Sequence, residues 1–263
     1  MNTQRIAIGI EYDGSQFSGY QMQSHGTRTV QECLQQALSK IADHPVSVTC
    51  AGRTDTGVHA TDQVVHFDTS AIRENKAWVM GVNTLLPDDI AVLWVRDVPD
   101  EFNARFKATM RSYRYVIRNT RTRPAILNKR VTWIYDDLDI DAMHAAGQKL
   151  IGAHDFSSFR SSQCQAKHAN RVMKSIDVTR DKDHIYIDVS ANAFLHHMVR
   201  NIVGSLLLVG RGEKPVEWMS QLLEIKDRNQ AGMTASASGL YLVAVEYPPE
   251  FALPACGWLP HYG

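Results

Sequence analysis

The sequence predicts an α+β protein whose two halves repeat one order of elements, β-α-β-β-α-β. Segments with the two-residue alternation of strands and segments with the helical period of 3.6 residues follow each other in that order twice. The 263 residues, 44% apolar and 21% charged, match ordinary globular proteins and suffice for a full core. This split order is the one used by ferredoxin-like and RRM-like folds. We therefore expect halves 1–104 and 105–263, with joined, mostly antiparallel sheets and helices packed on one side.

The first half contains four predicted strands and two predicted helices. One helix is expected to begin after Thr29, because Thr29 and Glu32 form a capping box and apolar residues follow at helical spacing as far as Ile41. A second helix is expected at 76–86. Strands are expected where apolar residues alternate with polar ones or form short runs, at 6–12, 45–51, 62–67 and 90–98.

The second half repeats this order with one added helix. Its first strand, 110–119, places Tyr113 on one face and Arg114 on the other. Two later strands flank a short charged turn at 181–183, which is typical of a hairpin. The remaining segments follow the helical period or the strand pattern: helices at 141–151, 193–210 and 217–224, and strands at 172–180, 184–191 and 240–247.

Charge is balanced overall but unevenly distributed. The chain has 28 basic and 28 acidic residues, yet residues 105–130, here called the basic strip, hold nine Lys or Arg and no Asp or Glu. Aromatic residues Phe106, Tyr113 and Tyr115 are interleaved with them. Such a strip on a neutral protein favours a polyanion bound at one place. A solvated strand-and-loop surface is the alternative that the pattern leaves open.

Cysteine spacing and hydropathy limit the class of protein. The four cysteines lie far apart with no CxxC pair, which argues against a disulfide framework or a cysteine zinc site and favours a reducing cytoplasm. No run of eighteen apolar residues occurs, so no membrane-spanning helix is expected.

The stretch AGRTDTGVHA, residues 51–60, holds a single acid, Asp55, in a loop bracketed by Gly52 and Gly57. Aspartic protease chemistry is excluded, because it needs two aspartates that share a proton and the chain has no second Asp-Thr-Gly or Asp-Ser-Gly. Two interpretations remain. Asp55 either hydrogen-bonds its own loop, as Asp often does beside glycine, or carries out chemistry in a cleft.

Seven segments spread over nearly the whole chain resemble the tRNA pseudouridine synthase A (TruA) family. They are EYDGSQFSGYQ, QECLQQAL, AGRTDTGVHA, FNARFKATMRSYRY, HDFSSFR, NAFLHHMVRNIVGSLL and ASGLYLVAVEY. The resemblance implies a homodimeric isomerase that converts uridine to pseudouridine at nucleotides 38, 39 and 40 of the tRNA anticodon stem-loop. It implies neither a cofactor nor a metal. The alternative is a catalytically silent tRNA-binding or chaperone protein on the same scaffold.

The resemblance also assigns roles to individual residues. It makes Asp55 the nucleophile, and Arg200 the cation that keeps the carboxylate ionised in a desolvated site. It implies that Tyr113 stacks on the target base, that Leu240 packs against it, and that Arg53 fills the stack after the uridine is extruded. The alternative for Arg53 is a salt bridge with Asp55, and the spacing of the two residues leaves both open. Attack on the sugar, removal of a sugar proton and addition to the base all remain open as the step that Asp55 performs.

Four arginines of the basic strip are expected to contact RNA, the last three of them beside Tyr113. They are Arg105, Arg111, Arg114 and Arg118.

Two departures from the family pattern are expected to lie away from Asp55. Most members carry Gly-Trp where this chain has Gly19-Tyr20, and many carry a Pro-containing basic segment at 166–172. His196 and His197 invite a metal interpretation. As neighbours on the helix predicted at 193–210 they would point about 100° apart, so we expect no metal site there.

Overall fold

The structure is a computed structural model that describes residues 3–23 and 26–262. It has an α+β fold with mostly antiparallel strand pairing. The chain forms two compact units, Met1–Thr109 with Leu242–Leu259 and Met110–Tyr241 with Pro260–Gly263. Among the described residues no helix has both the length and the apolar character needed to cross a membrane.

Unit 1 is a sheet with strand order β4-β1-β3-β10, and β2 pairs with β3. Its elements are β1 Gln4–Tyr12, α1 Val30–Ala42, β2 Thr49–Cys50, β3 His59–Thr69, a π-helical turn Ala77–Gly81, β4 Ile90–Val98 and the last five residues of β10 Leu240–Glu246. Strand β1 is almost wholly buried because β3 and β4 flank it. Gly9 is required there, since a Cβ atom would lie 2.0 Å from Trp94 Nε1.

Unit 2 is a sheet with strand order β5-β9-β8-β7, and β6 pairs with β5 in parallel. Its elements are β5 Met110–Asn119, β6 Thr132–Ile134, α2 Ile140–Gln148, β7 Gly152–Asp155, β8 Asn170–Asp181, β9 His184–Ala191, α3 Met198–Gly210 and α4 Trp218–Ile225. The charged turn between β8 and β9 has Lys182 in the left-handed region at φ 50°. The predicted hairpin is therefore confirmed.

Most predicted elements are confirmed, two need correction, and the helix predicted at 76–86 is observed with a π-helical turn, Ala77–Gly81, in its middle. Thr29 caps α1 as expected, because its side chain accepts from the Glu32 N–H at 3.4 Å. The strand predicted at 45–51 shrinks to Thr49–Cys50, because α1 side chains take its backbone donors. Val46 N–H donates to Ser39 Oγ and Val48 N–H to Gln35 Oε1.

The helix predicted at 193–210 was wrong in its first turn. Helix α3 begins at Met198, and His197 precedes it in the left-handed region at φ 63°. Leu195 is buried, but it lies before the helix rather than on its apolar face. His196 and His197 are therefore not helical neighbours, and their rings lie 4.0 Å apart. The expected 100° separation of these two side chains does not hold.

Asp62 is a buried acid on β3. Its side chain is only 5% exposed, and its Oδ1 atom has no hydrogen-bond partner in the described part of the chain. The C-terminal segment covers it, since a Cβ atom at Gly257 would lie 2.7 Å from Asp62 Cβ. Burial raises the pKa of Asp62 from 3.8 to about 6, partly offset by a hydrogen bond from the Val245 backbone. Ionised Asp62 thus destabilises unit 1 at neutral pH.

We expect Asp62→Asn to raise stability at pH 8 by about 2–3 kcal/mol, with the gain vanishing near pH 4. The raised pKa means that the folded protein holds the proton more tightly. The contribution of Asp62 is therefore complete below pH 4 and is lost as pH rises to about 6. Thermal unfolding followed by circular dichroism at pH 4.5, 6 and 8 measures this change.

Asp68→Asn on the same strand is the matched control, because hydrogen bonding to Arg5 lowers the pKa of Asp68. This variant should lose stability above pH 4 rather than gain it. An Asp62→Asn gain of equal size at pH 4.5 and pH 8 would show that titration of Asp62 is not the cause.

Candidate functional site

Asp55 lies at the head of a tight turn between β2 and β3 in unit 1. It is half-buried, and its backbone carbonyl accepts from Val58 N–H at 3.1 Å. Gly57 has φ +79°, a conformation that favours glycine, so the Asp-Thr-Gly sequence specifies this turn. The acid is therefore carried by a defined backbone path rather than by an open loop.

The base of the turn is fixed to β3 by backbone and side-chain hydrogen bonds. Ala51 N–H donates to Val64 O at 2.8 Å. The Gln63 amide brackets Gly52, accepting from its N–H at 3.3 Å and donating to its carbonyl at 2.5 Å. Buried Gln63 thus supplies hydrogen-bond partners for the N–H and the carbonyl of Gly52, which lie outside the sheet.

A second segment, residues 13–20, packs against the turn. Gly14 N–H donates to His59 Nδ1 at 3.1 Å, and a Cβ atom at Gly14 would lie 2.0 Å from Val58 O. Gly19 has φ +93°, and its Cβ atom would lie 3.0 Å from Thr54 O. Glycine is needed at both positions so that the two backbones can approach each other.

Arg200 lies in the first turn of α3 in unit 2, where residues 231–236, here called the strap, hold it. Its Nε donates to Ala235 O at 2.8 Å, and Ala235 N–H donates to Arg200 O at 3.1 Å. These two bonds form a ring between the arginine and the strap. They set where the side chain leaves the helix.

Tyr113 and Leu240 are buried in unit 2. Tyr113 on β5 is 8% exposed, and its ring meets Phe194 edge-on at 5.0 Å. Leu240 begins β10 and is 5% exposed. Beside Tyr113, Arg111 donates to Asn192 O at 2.9 Å.

Comparison with known proteins gives the family. The sequence profile of the family described as tRNA pseudouridine synthase matches residues 8–107 and 146–248. The chain is 59% identical over 250 residues to "tRNA pseudouridine synthase A" of Pseudoalteromonas atlantica, covering 95% of each chain. It is 57% identical over 249 residues to the protein of that name in Hydrogenovibrio crunogenus, covering 95% of each. It is 58% identical over 260 residues to that in Aeromonas salmonicida, covering 97% and 96%.

The chain belongs to the tRNA pseudouridine synthase A family. The resemblance found in the sequence is thereby confirmed.

The Gly19-Tyr20 departure from the family pattern touches the Asp55 turn, contrary to expectation. Tyr20 N–H donates to Thr54 O at 3.0 Å, directly before the acid. The Tyr20 side chain is 2% exposed, so the residue that replaces the family's tryptophan is part of the packing under the turn. The expectation that this difference lies away from Asp55 was wrong. Sequence distance concealed a contact between residues that are 34 positions apart.

Arg53 is exposed on the turn and forms no hydrogen bond or ion pair with any residue of 3–23 or 26–262. The sequence left open whether Arg53 would pair with Asp55. No such pair forms, so its guanidinium keeps its full hydrogen-bonding capacity. The RNA contact that the family resemblance gives Arg53 stays a prediction.

The basic strip is partly neutralised within unit 2. Arg114 makes two 2.7 Å bonds to Asp188 on β9, lies over Tyr186 at 4.8 Å and is 11% exposed. Arg118 pairs with Asp183 at 2.9 Å. These acids lie opposite β5 or in the β8–β9 turn, far away in sequence. Counting charges along the strip therefore overstated its free positive charge.

Sequence reasoning missed the strap and the polar pair beneath it. Asn201 and Ser205 are fully buried on α3. Thr234 Oγ1 donates to Asn201 Oδ1 at 2.7 Å, and Gly232 N–H donates to Ser205 Oγ at 3.0 Å. Two polar residues four positions apart on an apolar helix were the available signal, because buried polar side chains need partners.

Proposed function

We propose that this protein isomerises uridine to pseudouridine at nucleotides 38, 39 and 40 of the tRNA anticodon stem-loop, with Asp55 as the nucleophile. One observation carries the proposal: this chain, which aligns over 95% of its length with a tRNA pseudouridine synthase A, holds a single acid on a tightly defined turn. The relatives named above, 57–59% identical, are tRNA pseudouridine synthases A.

The reaction fits the groups available. The N-glycosidic bond breaks, the uracil turns, carbon 5 joins the ribose, and the hydrogen on carbon 5 leaves as a proton while nitrogen 1 gains one. Reactant and product are isomers, so the balance needs no redox cofactor. One carboxylate can stabilise or trap the electron-poor sugar carbon, as in glycoside cleavage. The leaving uracil is itself the returning nucleophile, so a second acid is not required.

The remaining site residues are part of the same proposal. Asp55, in the half at 1–104, is the proposed catalytic residue, and Arg200, Tyr113 and Leu240, in the half at 105–263, are the proposed substrate-binding residues. The element order of each half supports two ferredoxin-like or RRM-like halves. Support for the arginine comes from the strap, which fixes its side chain near the helix start. Support for Tyr113 is an aromatic ring in a buried setting beside arginines.

Carbodiimide mapping of pseudouridine tests the function. Purified protein is incubated with an unmodified tRNA transcript that carries uridine at nucleotides 38, 39 and 40. We expect new primer-extension stops at these positions, and no stops in a transcript with cytidine there. Binding without stops would favour the silent tRNA-binding or chaperone alternative. Absence of both binding and stops would overturn the proposal.

The proposed RNA contacts are Arg53, Arg105, Arg111, Arg114 and Arg118. We expect Arg111→Gln and Arg105→Gln each to reduce the slope of log affinity against log salt by roughly 0.7–0.9, because each removes about one phosphate contact. Filter binding between 50 and 300 mM KCl measures the slope. Arg114→Gln should change it least, since Asp188 already holds that guanidinium.

Arg96→Gln is the control for these variants. Arg96 is exposed on β4, outside the basic strip. An unchanged slope in both Arg111→Gln and Arg105→Gln would show that the basic strip does not bind the RNA backbone.

The proposal also includes a homodimer that acts in the cytoplasm. The four cysteines, Cys50 buried among them, are free thiols, which supports a reducing compartment. Sedimentation at assay concentration tests the dimer, and cell fractionation tests the compartment. A monomer mass or a purely membrane-bound fraction would contradict these two parts.

A further inference from the structure

We propose that Tyr12 and Thr54 are positioning residues that aim the Asp55 carboxylate. This inference rests on the proposed catalytic role of Asp55. It adds two residues that have no part in the proposed function as stated above. It concerns unit 1 alone. Tyr12 ends β1, and Thr54 directly precedes the acid.

The backbone on both sides of Asp55 is fixed by hydrogen bonds. Thr54 O accepts from Tyr20 N–H at 3.0 Å, and Asp55 O accepts from Val58 N–H at 3.1 Å. Each carbonyl belongs to one of the two rigid peptide planes that meet at the Asp55 Cα. With both planes held, the direction of the Cα–Cβ bond of Asp55 is held too. The carboxylate keeps only its side-chain rotations.

The Thr54 side chain supplies the third attachment. Its hydroxyl lies 2.8 Å from the Tyr12 hydroxyl, and both residues are buried, at 8% and 4% exposure. Threonine is β-branched, so a fixed hydroxyl restricts χ1 and through it the local backbone. The hydroxyl pair therefore connects the residue before the acid to the tyrosine side chain.

Tyr12 is itself held by the sheet. It lies opposite Ala60 of β3 and Ile90 of β4, so strands flank it on both sides. A rigid sheet thus positions Tyr12, Tyr12 positions Thr54, and Thr54 positions Asp55. Sites supported in this way keep a reacting group in productive geometry, where a misplacement of about 1 Å can cost roughly 100-fold in rate.

The test is a double-mutant cycle with Tyr12→Phe and Thr54→Val, each of which removes one hydroxyl and keeps the shape. We expect each single variant to lower the single-turnover rate on tRNA by about 10-fold or more, with tRNA affinity changed less than about twofold. The double variant should be no slower than the worse single variant, because one shared bond is lost. Thr54→Ser, which keeps the hydroxyl, should recover most of the rate.

Tyr247→Phe is the matched control. It removes a tyrosine hydroxyl that donates to Ala104 O at 2.7 Å in the same unit, so it reports the general cost of such a loss. Melting curves confirm that each variant is folded at the assay temperature. Should Thr54→Val prove unfolded, Tyr12→Phe and Thr54→Ser still decide the matter.

Three results would overturn the inference: unchanged rates in the folded variants, an equal loss in Tyr247→Phe, or additive losses in the double variant. Failure of the proposed function looks different. In that case the parent protein forms no pseudouridine, or Asp55→Asn stays fully active. If the parent is active, Asp55→Asn inactive and Tyr12→Phe fully active, only the positioning role is contradicted.

Discussion

Asp55→Asn is expected to lower the rate of pseudouridine formation by roughly 10⁴-fold or more, because it removes the only carboxylate that the mechanism uses. Asparagine has nearly the same shape. The turn should survive, since the Val58 N–H bonds to the backbone carbonyl of Asp55 and not to its side chain. tRNA affinity and melting temperature should therefore change little. Release of tritium from tRNA labelled at carbon 5 of uridine, under single-turnover conditions, measures the rate.

Asp97→Asn on β4 provides the control, because Asp97 is an exposed acid of the same unit. It should keep full activity. If Asp55→Asn also kept full activity, Asp55 would have no part in the mechanism. If it lost tRNA binding and stability together with activity, the acid would be a structural member of the loop, which is the alternative that the sequence left open.

Local patterns explain which elements could be predicted. Strand β5 is observed over the full predicted range, 110–119, because its alternation is encoded in neighbouring residues. The start of α1 follows from Thr29, Glu32 and the apolar residues that follow at helical spacing. The helix prediction failed at residues 193–197, because contacts with residues distant in sequence determine the conformation of this segment. His196 O accepts from Ser161 N–H, and His196 N–H donates to Cys164 Sγ. Such contacts leave no local periodic signal.

The features of the site likewise divide into those that local sequence predicts and those that depend on distant contacts. The turn that carries Asp55 could be predicted because the acid and Gly57 lie two positions apart, whereas the catalytic role of Asp55 comes from the family resemblance and stays a prediction. The Tyr12–Thr54 pair joins residues 42 positions apart, and the Arg114–Asp188 pair joins residues 74 positions apart. Neither can be read from spacing, because the β5–β9 register sets the second pair and the folding of the turn against β1 sets the first. The composition of the two units cannot be read from sequence order either, because residues 242–259 belong with the first 109 residues.

Gly204→Ala is expected to cost about 3 kcal/mol or more and to lower the melting temperature by roughly 6–12 °C. Gly204 lies inside α3, where a Cβ atom would sit 1.7 Å from Met233 O and 2.9 Å from Met233 C. Alanine would favour the helix by about 1 kcal/mol, but the clash outweighs this gain. The clashing atoms belong to the backbone, which cannot relieve the clash by a change of rotamer as a side chain can. Differential scanning calorimetry measures the shift.

Gly147→Ala is the matched control, the same exchange inside helix α2 of the same unit. The three atoms nearest to its Cβ atom would be Ile176 side-chain atoms at 3.3–3.4 Å, so we expect a change within about 1 kcal/mol. Equal melting temperatures for the two variants would refute the clash. The strap that Gly204→Ala must displace also bonds Arg200 through Ala235. Activity at temperatures where the variant is folded should therefore fall further than in Gly147→Ala, since the arginine loses its fixed position together with the strap.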